Sequence, residues 1–155
     1  MKTRVAAVLV LFAAPALAQQ QDFSKVEVKA EKVAEGIYML TGSGGNMGLS
    51  VGKSGTYLID DQYAPLTDKI LAAIRAITPD PVRFVVNTHW HGDHTGGNEN
   101  LGKAGALLVA HENVRRRMST EQFNAAFKRK TPPSPEGALP VVTFTDAVTF
   151  HWNGD

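Results

Sequence analysis

The sequence predicts a mixed α/β fold, a largely antiparallel sheet with flanking helices. Three observations predict it. Residues 26–60 read as short apolar segments separated by glycine turns, and residues 66–77 carry apolar side chains at helical spacing. Two continuous apolar runs, 82–86 and 106–110, are of the kind buried on both faces of a sheet.

The elements follow in order. Residues 19–25 form a polar, flexible tail, and the folded region runs over 26–155. Val26, Val28 and Ala30 alternate with Glu27, Lys29 and Glu31, the period of a half-buried strand. Gly36 opens a second strand over 37–41, and the glycine-rich segment 42–45 turns the chain into a third over 47–52. A short turn at 53–55 leads to a fourth over 56–60, which completes an antiparallel meander. Pro65 suits a first helical position. Leu66, Ile70, Ala73, Ile74 and Ile77 then mark one helix face, which must end at Thr78-Pro79. The apolar strand 82–86 enters a histidine cluster, and the strand 106–110 precedes a helix over 112–118. Phe123, Ala126 and Phe127 suggest a weaker helix within 119–130, followed by a proline-rich loop over 131–137. Residues 141–144 and 147–152 read as a terminal hairpin turning near Asp146, and no internal repeat is present.

Lys2 and Arg4, an apolar run to Leu17 and Ala16-Leu17-Ala18 before a glutamine tract have the pattern of a secretory signal peptide over 1–18. A membrane anchor would need about 20 apolar residues, and this run is shorter. Export to the periplasm or medium, with no membrane association after cleavage, is therefore expected. Loss of Lys2 and Arg4 lowers the formal charge from +1 to −1, which gives no general attraction to nucleic acid. The chain has no cysteine, so no disulfide supports an exported fold.

The chemistry is carried by His89-Trp90-His91-Gly92-Asp93-His94. In extended chain, side chains two apart point the same way, so His89, His91 and Asp93 face one site while Trp90 points elsewhere. Gly92, Gly96 and Gly97 permit the bend that brings His94 to a neighbouring metal position. Imidazole and carboxylate ligands suit zinc, and less often iron or manganese. The competing reading is a solvated, metal-scavenging histidine turn. The buried strand leading in and the glycines leading out favour a built site.

Asn87 to Asn98, read as Asn-Thr-His-Trp-His-Gly-Asp-His-Thr-Gly-Gly-Asn, resembles the signature of the metallo-β-lactamase fold superfamily. The resemblance implies the N-terminal half of a four-layer αββα sandwich. It implies that His89 and His91 bind one metal and Asp93 and His94 a second, with two zinc ions in a complete domain. It further implies hydrolysis of an ester, thioester or β-lactam-type amide in a small-molecule substrate by a metal-bound hydroxide, Asp93 steering the proton. Asp60, at the end of its strand, is implied to lie beneath the metal loop and bond a ligand histidine, with a strand-end turn residue as the equal reading. Histidines that complete both sites in that superfamily have no match here, since His111 and His151 stand in other contexts. The chain is thus expected to be truncated and inactive alone. An iron-dependent persulfide-type oxidoreductase and a non-catalytic metal-binding fragment are the alternatives, because fold does not settle function.

Residues 42–54 lack the spacing and following helix of a phosphate-binding loop. In the resembled superfamily the loop around Gly44, Asn46 and Met47 overhangs the site, although a plain hairpin turn is an equal reading. The basic residues Arg115, Arg116, Arg117, Lys128, Arg129 and Lys130 read as solvated faces, with an acidic substrate as the minority alternative.

Overall fold

A computed structural model describes residues 21–126 and 128–154. The expected signal peptide lies outside the described residues. Nine strands are present among them: β1 Lys29–Ala34, β2 Ile37–Thr41, β3 Met47–Gly52, β4 Gly55–Ile59, β5 Val82–Asn87, β6 Leu107–His111, β7 Gln122–Asn124, β8 Arg129–Thr131 and β9 Val142–Phe144. The helices are α1 Thr67–Arg75, α2 Gly92–Thr95, α3 Asn98–Lys103 and α4 Glu112–Met118. Seven strands form one sheet in the order β1-β2-β3-β4-β5-β6-β9, and β7 pairs with β8 apart from it.

The meander β1 to β4 is antiparallel, as its tight glycine turns require. From β4 onward the ladders are parallel, because each connection carries a helix across the sheet. Pairing aligns Leu49, Leu58, Val85 and Leu108 in one row across β3 to β6. Leu66, Ile70 and Ile74 from the first helical segment and Leu101 of α3 join the same buried cluster. The apolar stripe of α1 therefore seats on one face of the sheet, and hydrophobic burial of this row is the main source of its stability.

The opposite row, Tyr57, Phe84 and Leu107, faces away from the helices. Phe150 lies 6.1 Å from Tyr57 and 5.5 Å from Phe84, and Trp152 stands edge-on to Phe84 at 5.0 Å. Asn153 anchors this segment, donating from Nδ2 to Ser50 Oγ and to the Gly55 carbonyl, both at 3.0 Å.

Four details differ from the sequence expectations. The first strand begins at Lys29 rather than Val26, and all six residues are exposed because β1 is an edge. Among the described residues of 119–130 no helix forms. Ser119 ends α4, and Gln122 Nε2 donates to the Arg117 carbonyl at 3.0 Å, satisfying the helix terminus where the chain turns into the β7–β8 hairpin. Phe123 remains 63% exposed, so its apolar spacing found no surface to bury against. The terminal hairpin is also absent: β9 joins the sheet parallel to β6, and the aromatic residues after it cross the sheet face. Finally, α3 had no periodic signal, since Leu101 is its single buried apolar residue.

Candidate metal centre

Parallel pairing of β4 and β5 brings their carboxyl ends to one edge of the sheet, the place where open α/β sheets present ligand sites. β4 delivers Asp60, Asp61 and Gln62 there, and β5 delivers residues 88–94. The Asp60 N–H donates to the Val86 carbonyl at 3.0 Å, locking the two strand ends together. Asp60 and Gln62 both adopt left-handed backbone, at φ 60° and 54°. Non-glycine residues held there cluster at functional sites, where surrounding contacts offset the strain.

Asp60 is 4% exposed and its carboxyl accepts three hydrogen bonds. The Thr88 N–H reaches Oδ1 at 2.8 Å; Thr88 Oγ1 and His94 Nδ1 reach Oδ2 at 2.7 and 2.8 Å. The single Thr88 hydroxyl proton is thereby used on Asp60. Thr88 Oγ1 must then accept from His89 Nδ1, 3.1 Å away. Hydrogen-bond logic thus assigns the proton of both imidazoles to Nδ1 and leaves each Nε2 with its lone pair.

Those lone pairs point to partners that form two couples. His89 Nε2 is 3.1 Å from His91 Nδ1, and His94 Nε2 is 3.4 Å from Asp93 Oδ2. Ligands about 2.0–2.1 Å from a tetrahedral zinc stand about 3.3 Å from one another, so each couple has the spacing of two ligands on one ion. The rings of His89 and His94 lie 3.9 Å apart between centroids, which puts the couples side by side. Among the described residues no group of three or more His, Asp or Glu side chains is arranged around one point. The donor set fits metal in its chemistry and pair spacing, two ligands at a time.

Burial holds the His89 imidazole below its usual range, with His94 and His91 adding to the effect. A neutral ring is the form that ligates. The Tyr63 phenol is raised by burial and then by Asp93, which places its ring beside the same carboxylate.

The loop around Gly44 overhangs the site, one of the two readings of the sequence, and Gln62, which holds it there, escapes sequence reading. A side chain at Gly45 would put its Cβ 2.3 Å from His94 Cε1, and one at Gly44 would meet Asp93 Cβ at 2.6 Å. The glycine loop therefore lies directly on the second couple. Fully buried Gln62 holds it there: Oε1 accepts from the Ser43 N–H at 3.1 Å and Nε2 donates to the Gly45 carbonyl. Three polar residues directly after an apolar strand were the available signal for Gln62, but its partners are 17 and 19 residues away. Beneath the loop, Asn87 Nδ2 donates to the His94 carbonyl at 3.0 Å, and Asn98 Nδ2 to Asn87 Oδ1 at 2.9 Å.

The remaining histidines stand apart. His111 accepts from the Asn113 N–H at 3.0 Å, capping α4, and its Nε2 lies 2.6 Å from the Thr145 carbonyl. His151 is exposed on the segment that crosses the far face.

Asp61 is fully buried; Oδ1 accepts from the Gly97 N–H at 2.9 Å and Oδ2 has no partner among the described residues. Burial pushes its carboxyl well above the usual range, opposed by the Gly97 bond and reinforced by Asp60. The folded state therefore holds this proton more tightly than the unfolded chain. The stability tied to it is greatest below the unfolded value of about 3.9 and falls as pH rises from there through the raised folded value. Asp61→Asn keeps an acceptor for Gly97 and has no proton to lose. Urea midpoints measured across about pH 4 to 8 should fall less steeply with pH in this variant than in the parent, and equal slopes would refute the assignment.

The sequence profile described as "Metallo-beta-lactamase superfamily" matches residues 40–154. Among solved structures, a metallo-beta-lactamase of Cronobacter sakazakii with a HARLDQ motif is similar at 22% identity and TM-score 0.69, over 83% of this chain and 50% of that one. A B3 metallo-beta-lactamase with an active-site glutamic acid is similar at 22% identity and TM-score 0.64, over 78% of this chain and 47% of that one. A metallo-beta-lactamase of Novosphingobium pentaromativorans is similar at 26% identity and TM-score 0.60, over 76% and 45%. The chain thus spans about half the length of these relatives or less. Among curated proteins, no sequence matches it.

Proposed function

Since the chain belongs to the metallo-beta-lactamase superfamily, we propose that it serves an exported, zinc-dependent hydrolase acting on an ester, thioester or β-lactam-type amide. The observation that carries the reading is the pair of ligand couples, His89 with His91 and Asp93 with His94, at 3.1 and 3.4 Å. Divalent cations bound there would supply Lewis acidity and an activated water. The chain's own residues do the rest. Asp60 and Thr88 fix the tautomers that present both Nε2 atoms, and Gln62 keeps the glycine loop over Asp93 and His94. Asp93, part exposed beside the glycine loop, is placed to take a proton and pass it to a leaving group.

Two ligands per couple are fewer than the three protein ligands a catalytic zinc takes. Full occupancy therefore draws on further donors, and hydrolysis belongs to whatever assembly supplies them. Export is proposed from the leader pattern alone, and the substrate class from the superfamily alone.

The test is zinc content by mass spectrometry, together with hydrolysis of a chromogenic β-lactam, a thioester and an aryl ester. It is run on this chain and, where the natural chain is longer, on that longer form. Zinc in both with turnover in the longer form is expected. Failure of both forms to hold zinc would sink the proposal.

A further inference from the structure

Residue 90 alternates with the ligand histidines, so its ring falls on the other side of the loop. Trp90 packs there on the cluster Ala110, Val114, Met118, Ala138 and Leu139, with its ring 4.9 Å from that of His91. Behind it lies a cavity of about 710 Å³, between the histidine loop, the end of α4 and the β7–β8 hairpin. That volume is in the range of small-molecule sites. His91 of the first couple lines its near edge, whereas His89, Asp93 and His94 do not line it, so the cavity adjoins the metal couples but opens behind the loop that carries them.

Its walls are of two kinds. Trp90, Met118 and Phe123 supply apolar and aromatic surface, and Phe123 is 63% exposed on a short hairpin. An exposed aromatic ring on a cavity wall gains from an apolar occupant. Arg117 and Arg129 supply charge. The Arg117 guanidinium lies 5.6 Å from the Trp90 ring centroid, and neither arginine has a carboxylate partner among the described residues. The one acid on the wall, Glu99, is already bonded to Lys103 at 2.8 Å. The cavity therefore offers flat apolar surface together with two uncompensated guanidinium groups.

We propose that this rear cavity binds a small aromatic carboxylate, its ring against Trp90 and Phe123 and its carboxylate on Arg117 and Arg129. Guanidinium forks suit a carboxylate, and the cation stacked on Trp90 stays available at its edge. Because Trp90 sits between His89 and His91, occupancy stiffens the loop that carries the first couple. The proposal stands on the cavity and does not require metal.

The chain has two tryptophans, so Trp152→Phe leaves Trp90 as the sole tryptophan, read by excitation at the red edge where tyrosine does not absorb. Titration with 3-phenylpropanoate, in the presence of chelator, is expected to give a saturable change with Kd of about 1 mM or tighter. 3-Phenylpropanamide, Arg117→Gln and Arg129→Gln are each expected to weaken binding about tenfold. Acetate, which lacks the ring, should not saturate. Should Trp152→Phe fold poorly, the Trp90 indole N–H resonance in the unaltered chain provides the same titration. No saturable response, equal affinity for the amide, or unchanged affinity in both arginine variants would overturn the proposal. A response seen only with zinc present would assign the carboxylate to the metal couples and overturn it as well.

Discussion

His89→Ala and His94→Ala are each expected to remove one of the two couples, and together to remove zinc binding by at least about 100-fold. That exceeds the roughly 10–100-fold cost of losing an outer partner of a metal ligand. The couples share no ligand, with His89 Nε2 facing His91 and His94 Nε2 facing Asp93. Each single variant should therefore lose stoichiometry at one couple in calorimetric titration, while the double variant binds nothing tightly. His111→Ala is the control. Its Nδ1 caps α4 and its Nε2 meets a backbone carbonyl, so zinc stoichiometry should be unchanged while the lost cap costs about 1 kcal/mol of stability. Wild-type affinity in both His89→Ala and His94→Ala would mean that the couples are hydrogen-bonded turn residues and nothing more.

What the sequence made legible follows the range of the interactions. His89, His91, Asp93 and His94 sit within six residues, but the extended segment expected there is only partly met: Trp90 packs away from the ligands, while residues 92–95 form α2, so Asp93 pairs with His94 from a helical turn. The stripe Leu66, Ile70 and Ile74 was readable because a helix repeats its face, and all three are buried. Residues that act across the chain left no comparable trace. Thr88 completes the proton assignment only because β4 and β5 pair in parallel and bring Asp60 beside it from 28 residues away. The loop around Gly44 read equally as an overhang of the site and as a plain hairpin turn, and the closeness of Gly44 and Gly45 to Asp93 and His94 decides for the overhang. The misplaced elements have the same origin. Phe123 suggested a helix by spacing, but spacing cannot say whether a surface exists to bury it; Phe150 and Trp152 suggested a strand, although Tyr57 and Phe84 already offered them an aromatic face.

Asp60→Asn carries the second large effect, and it separates positioning from ligation. The carboxyl now accepts from the Thr88 N–H, the Thr88 hydroxyl and His94 Nδ1 through two oxygens. Asparagine offers one acceptor oxygen and an NH2 group, so one side of that arrangement meets a donor where it needs an acceptor. If the amide oxygen stays with the Thr88 N–H, its NH2 faces His94 Nδ1, and that ring keeps its place only by moving its proton to Nε2. The lone pair aimed at Asp93 is then gone. Zinc affinity is expected to fall about 10–100-fold with the fold intact, the usual cost of an outer partner. In metal-free protein the ring nitrogen resonances of His94 should exchange character between Nδ1 and Nε2, a change that a purely structural role for Asp60 would not produce. Unaltered affinity together with an unaltered His94 tautomer would show that Asp60 serves the strand end alone. A similar tautomer change with unaltered zinc binding would instead remove His94 from the ligands and leave the His89–His91 couple as the metal-binding pair.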